Sequence, residues 1–197
     1  MDNELQLILS LHEIGAVKFG KFKLKSGIIS PFYLDLRVLV SHPPILHDAA
    51  LAMAQVLGPL KFDRIAAIPY AAMPIGTAIA LEMNRPMIYP RREKKDYGTG
   101  RAIEGEFNKG ETAVVIDDVI TTGLSKIEAI EPLTAAGLKV RDIVVLVDRE
   151  QGGAAELTAR GYCVHATLKI RAMMNALKET GKVSEKEYDE VMRFLGS

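Results

Sequence analysis

AVVIDDVITTGLSK, residues 113–126, sets an apolar run against two adjacent acids, three hydroxyl residues and a glycine. Ala113 to Ile116 are apolar at every position, which predicts a short strand buried on both faces. Asp117 and Asp118 follow, then Thr121, Thr122, Gly123 and Ser125, and Leu124 to Ala136 has helical spacing. Strand, polar loop and helix in that order build parallel sheets, whose ligands gather at the carboxyl ends of the strands. A helix start offers unpaired N–H groups and a positive dipole end, which suits phosphate; hydroxyls add donors, and Gly123 admits close backbone approach. The acids serve something else. Two unit charges ~4 Å apart interact by about 4 kcal/mol at an effective dielectric near 20, so this pair repels phosphate. As acceptors for neutral hydroxyls they suit the vicinal diol of a sugar, and the order predicts a ribose followed by its phosphate. On these residues alone a plainer reading stays open, in which the acids close the strand and Thr121 caps the helix. A Walker loop and a GxGxxG dinucleotide fingerprint are both excluded, because neither pattern occurs.

Outward from this stretch the same rhythm repeats. RIAAI (64–68), PMIY (86–89), DIVVLV (142–147) and CVHATL (163–168) read as strands, and residues 74–84 and 154–160 as helices between them. Apolar strands alternating with helices predict an α/β fold, a parallel sheet flanked by helices. Upstream, residues 3–15 and 44–57 have helical spacing, Phe22 and Leu24 alternate with lysines, and PFYLDLR (31–37) is extended. Residues 170–195 read as two helices parted by Gly181. There is no internal repeat or linker, so residues 1–197 are expected to form one domain, with about 1–40 as a small hood over the sheet.

Composition narrows the classes further. The 197 residues are 48% hydrophobic and 25% charged, the balance of a globular chain. Lys plus Arg equals Asp plus Glu at 25 each, which argues against a general nucleic-acid binder. The single cysteine, Cys163, excludes an intrachain disulfide and a cysteine metal cluster. No apolar run approaches the ~18 residues of a membrane span, and the N-terminus lacks the basic start of a leader. A cytoplasmic protein without a membrane partner is the expectation.

Three other segments carry chemistry. Residues 91–105, RREKKDYGTGRAIEG, have neither helical nor strand period and hold five bases against three acids. Their length exceeds the usual ~4–6 residue connection, a mark of lids and binding loops as well as of solvated charge. In FKLKSGIISPFYLDLR (22–37) the alternating lysines fit the wet face of a strand equally well. In VDREQGG (147–153) the DIVVLV strand delivers Asp148 and Arg149 to the edge that holds Asp117 and Asp118. An arginine fork suits a planar anion, though a surface ion pair would use it too.

Taken together these stretches resemble the orotate phosphoribosyltransferases. IDDVITTG resembles the motif by which type I phosphoribosyltransferases bind phosphoribosyl pyrophosphate (PRPP), and the likeness runs from Phe22 through Gly153 with four motifs in order. It implies the family fold and activity, the transfer of ribose 5-phosphate from PRPP to orotate in pyrimidine biosynthesis. By the same resemblance Lys95 is catalytic with Asp117 and Asp118. PRPP would be bound by Lys25, Tyr70, Ala71, Arg91, Arg92, Lys95, Tyr97 and the run Asp117, Asp118, Val119, Ile120, Thr121, Thr122, Gly123, Leu124 and Ser125. Orotate would meet Lys25, Tyr33, Leu34, Thr121 and Arg149. Mg²⁺ would be carried mainly by PRPP, without a direct protein ligand set, and a homodimer would share loop 91–105 across its interface. Ala71 stands where many bacterial members have lysine, and Tyr97 where many have histidine; the KDYG form looks more like the phosphoribosyltransferase portion of bifunctional UMP synthases. A purine-type phosphoribosyltransferase, a PRPP-binding regulator and a generic metal-binding module are the rival readings.

Overall fold

In the computed structural model, residues 3–24, 27–91 and 102–196 are described. Six strands form one sheet in the order β5-β4-β3-β6-β7-β8. They are β3 (Arg64–Ala67), β4 (Met87–Pro90), β5 (Ile103–Glu104), β6 (Thr112–Ile120), β7 (Lys139–Asp148) and β8 (Cys163–Lys169). All pair in parallel except β5, which lies antiparallel on β4. This mostly parallel sheet flanked by helices is the α/β architecture expected from the sequence.

Strand alternation assigns the two faces. Val114 and Ile116 of β6, with Val144 and Leu146 of β7, pack under α2 (Pro43–Leu57) and α3 (Ala72–Met83) through Met53, Leu57, Ile75 and Ile79. Ala113, Val115, Ile143 and Val145 point the other way, to Ile130 and Leu133 of α4 (Leu124–Ala135) and Leu157 of α5 (Gly153–Ala159). Pro74 sits in the first turn of α3, where a missing N–H costs no helical bond.

Two regions differ from what sequence spacing predicts. The acids do not end β6: the strand continues through Asp117 and Asp118 to Ile120, because β7 runs alongside and pairs Asp117 with Val145 and Ile120 with Asp148. The stretch 91–105 is not wholly without strand, since Ile103 and Glu104 form β5 against Pro90 and Tyr89. Arg91 N–H also donates to the carbonyl of Ala102.

A two-stranded antiparallel sheet, β1 (Val17–Lys23) with β2 (Ile29–Leu34), stands apart from the main sheet. Its buried face, Ser30, Phe32 and Leu34, needs apolar cover. Part of that cover comes from the far end of the chain, where Phe194 of α7 (Glu185–Phe194) meets Phe32 edge-on at 6.2 Å. α7 starts at a capping box in which Ser184 and Glu187 satisfy each other's backbone N–H groups. α1 (Asn3–Glu13) belongs to the main core, where Leu7, Ile8 and Leu11 join the cluster that includes α2 and α6 (Ile170–Glu179).

Candidate active site at the carboxyl edge of the sheet

The β3–α3 turn and the β6–α4 turn leave the same sheet edge side by side, with a cleft of about 260 Å³ between them. Tyr70 and Ala71 line one wall; Asp117, Asp118, Val119, Thr121, Thr122, Gly123 and Ser125 line the other. The Pro69–Tyr70 peptide bond, on the first wall, is cis. Two members of the expected PRPP set stand off the cleft. Ile120 is fully buried in the core, and Leu124 is exposed at the helix start. Arg91 pairs with Glu104, Nε to carboxylate at 2.8 Å. Lys25, Arg92, Lys95 and Tyr97 lie outside the described residues.

The helix cap is Gly123, at φ +83°, rather than Thr121. That conformation is one that side-chain-bearing residues rarely adopt, and a Cβ there would also lie 3.0 Å from the Gly153 carbonyl and 3.1 Å from Leu157. The turn is thus pressed onto the segment after β7. Gly153 N–H donates to the Thr121 carbonyl at 2.9 Å, and Arg149 N–H donates to that of Ile120 at 3.1 Å. A Cβ on Gly153 would fall 2.5 Å from the same Thr121 oxygen.

The two acids differ in their surroundings. Asp117 is buried; one of its oxygens accepts the Asp118 N–H, and the other pairs with Lys126 at 2.6 Å. Asp118 is half-buried and accepts the Val119 N–H through Oδ1. Its carboxyl is pushed up to about 7, by burial first and by the charge on Asp117 second.

Arg149 is buried at the edge of β7. Its guanidinium lies over the Phe32 ring, 4.4 Å from the centroid, and donates through Nη2 to Ser30 Oγ at 3.1 Å. Ser30 in turn donates to the Phe32 carbonyl at 2.7 Å. Among the described residues no carboxylate pairs with Arg149, and its buried Nε has no acceptor. Burial pulls its pKa below the ordinary arginine value. Next to it Glu150 holds a positive φ of 52°, fixed from both sides: its N–H donates to Asp148 Oδ1 at 2.7 Å, and its carboxylate accepts the Arg171 N–H at 2.9 Å. Leu34 shares the buried face of β2 with Ser30 and Phe32, whereas Tyr33 stands on the other face. The Tyr33 ring lies 5.5 Å from that of Phe22, and its hydroxyl accepts from Arg37.

Sequence reasoning passed over Lys126, Ser30, Phe32 and Glu150. Lys126 carried a signal, for a cation in the first turn of a helix opposes the dipole and calls for a local reason. Ser30 and Phe32 are visible only once β2 and the end of β7 are brought together, and Glu150 only once α6 meets that end.

A strand-edge cleft with two acids, a hydroxyl-rich turn and a helix start defines a phosphoribosyl transferase domain, and the family of that description matches residues 38–162. Among relatives, the bifunctional enzyme PyrF/PyrE of Nostoc sp. is 42% identical over 182 residues, covering 92% of this chain and 38% of its own length. The orotate phosphoribosyltransferase of Pyrobaculum islandicum is 40% identical over 184 residues, covering 93% and 94%. The solved structure of Leishmania donovani UMP synthase superposes with a TM-score of 0.93 at 46% identity, over 98% of this chain and 42% of that one. The chain therefore belongs to the phosphoribosyl transferase domain family, in its orotate phosphoribosyltransferase branch. It spans about two fifths of the length of the PyrF/PyrE and uridine 5'-monophosphate synthase relatives it matches.

Proposed function

We propose that the chain transfers the 5-phosphoribosyl group of PRPP to orotate, giving orotidine 5′-phosphate and pyrophosphate. Arg149 carries this reading: a buried guanidinium without a counter-ion among the described residues, stacked on Phe32 beside the diacid turn. Desolvating such a charge costs several kcal/mol unless an anion joins it. A planar carboxylate-bearing base supplies that anion where a purine does not, and so orotate is favoured over adenine or hypoxanthine.

In this proposal Thr121, Thr122, Gly123 and Ser125 receive the 5′-phosphate at the α4 start. The ribose diol sits at the acid pair and donates to Asp118, and the backbone of Tyr70 and Ala71 meets the pyrophosphate. The bond from the anomeric carbon to the pyrophosphate oxygen breaks, its electron pair leaving with pyrophosphate, and orotate nitrogen bonds to the same carbon while its proton is given up to pyrophosphate or water. Positioning and charge stabilisation supply most of the rate. Lys95 would steady or protonate the departing pyrophosphate. Among the described residues no cluster of three or more acids, histidines or cysteines could hold a metal. Of the two acids that line the cleft, Asp117 is paired with Lys126 and Asp118 is not, which fits Mg²⁺ that arrives on PRPP with most of its own water. Bound there, Mg²⁺ would neutralise pyrophosphate charge.

We also propose that residues 1–197 act as one catalytic domain with β1 and β2 as the hood, in the cytoplasm, as a homodimer sharing loop 91–105. Loss of orotate absorbance on adding Mg²⁺ and PRPP tests the activity. Turnover of adenine or hypoxanthine instead would make it a purine enzyme, and tight PRPP binding without product a regulator. Mixed Lys95→Ala and Asp118→Asn proteins should regain activity after subunit exchange through one intact hybrid site. Demonstrated exchange with no recovery would refute the shared loop.

A further inference from the structure

Lys126 stands in the first turn of α4 with its side chain turned back into the protein, among the few buried charged residues. Its ammonium has three donors, and three acceptors surround it: Asp117 Oδ2 at 2.6 Å, the Val119 carbonyl, and Ser125 Oγ at 3.4 Å. Val119 and Lys126 are the two ends of the turn 120–125, so one side chain ties the turn closed. Alternation along β6 explains the choice of acid, because Asp117 shares the strand face of Ala113 and Val115, the face that α4 covers. With Lys126 on one oxygen and the Asp118 N–H on the other, Asp117 has both oxygens taken up by the chain. Asp118 differs: Oδ1 accepts the Val119 N–H, and its carboxyl lies against that of Asp117 with no ion-pair partner of its own among the described residues. The ion pair also removes a repulsion, since an unpaired Asp117 would oppose any phosphate held by the adjacent turn.

We propose that Lys126 is a positioning residue that clips the turn 120–125 to Asp117, and so divides the two acids into an anchor, Asp117, and an acceptor offered to the ribose diol, Asp118. The proposal rests on the reading of the cleft as a PRPP site. It treats the acids as unequal, where the sequence presents them as a matched pair.

Calorimetric binding of Mg²⁺–PRPP to the full chain, with steady-state kinetics beside it, tests this. Lys126→Met should weaken PRPP binding by about tenfold or more, with the KM for orotate changed by less than about threefold, a split that a general loss of stability does not produce. Asp117→Asn/Lys126→Met removes both buried charges, and serves if the single variant does not fold. It should fold and still bind PRPP weakly, because the tie to Val119 is gone. Asp118→Asn should cost more PRPP affinity than Asp117→Asn. Wild-type PRPP affinity in a folded Lys126→Met or double variant would overturn the clip, as would equal losses in the two Asp→Asn proteins. If the wild type binds PRPP but consumes no orotate, only the orotate reading falls and the binding comparison still judges Lys126. If the wild type binds no PRPP, both fall.

Discussion

The two halves of the cleft are built in different ways. The phosphate half is almost one continuous piece of chain, residues 117–126, in which strand, turn and helix start follow each other and Lys126 closes the loop on itself. The base half is assembled from distant pieces. Arg149 leaves β7, whereas its partners Ser30 and Phe32 belong to β2, and Phe32 is backed by Phe194 near the other end of the chain. A site made largely by local geometry is preorganised once its helix and strand form and the backbone after β7 docks on the turn. One made by long-range packing depends on the whole tertiary structure and should respond more steeply to loss of a single contact.

The largest test of that contrast is Arg149→Met. Truncating a buried, hydrogen-bonded charge that meets an anion typically costs 2–5 kcal/mol, so turnover at fixed orotate should drop by about a hundredfold or more. PRPP binding by calorimetry should stay within about threefold, because the turn 120–125 is built without the guanidinium. Loss of both affinities together would show that the halves are not separable. Ser30→Ala is the milder cut. It removes one acceptor from Arg149 and should raise the KM for orotate by only about fivefold, the range of a single hydrogen bond near 1 kcal/mol. An effect as large as that of Arg149→Met would make Ser30 more than a support.

A separate test concerns the phosphate half, through the pH dependence of stability. Asp118 is raised from 3.8 to about 7 in the folded chain. Across that window the folded protein keeps a proton that the unfolded chain has released, so this group's contribution to stability is full at the acid end and is lost as pH rises towards 7. In Asp118→Asn the thermal midpoint should therefore decline less over this range than in the wild type. Parallel curves would mean that Asp118 does not hold the proton.

How much of this could be read in the sequence follows the same division. IDDVITTG names the phosphate half because its residues are neighbours in sequence as well as in space. The true end of β6 could not be read: aspartate is poor in strands, and only the register with β7 shows why Asp117 and Asp118 lie within one. β5 escaped because two residues set no period, and they become a strand only by pairing with Tyr89 and Pro90. Arg149 was legible as a strand-end arginine, but its lack of a counter-ion among the described residues and its bed on Phe32 were not, since β2 lies far away in the chain. Lys126 is legible only as a cation in a first helical turn, and its hold on Asp117 and Val119 follows from the fold.

The contact of Gly153 with Thr121 sets a rule for anyone who would redesign this protein. A side chain at Gly153 has no room, and its N–H holds the turn that faces it. The segment that carries Arg149 and the turn that cradles the phosphate therefore form one graft. Swapping residues 148–153 for those of an enzyme with another base preference would carry over the new specificity only if the 120–123 turn travelled with them. By the same constraint the two stretches are expected to co-vary through descent, with changes in one admitted only alongside changes in the other.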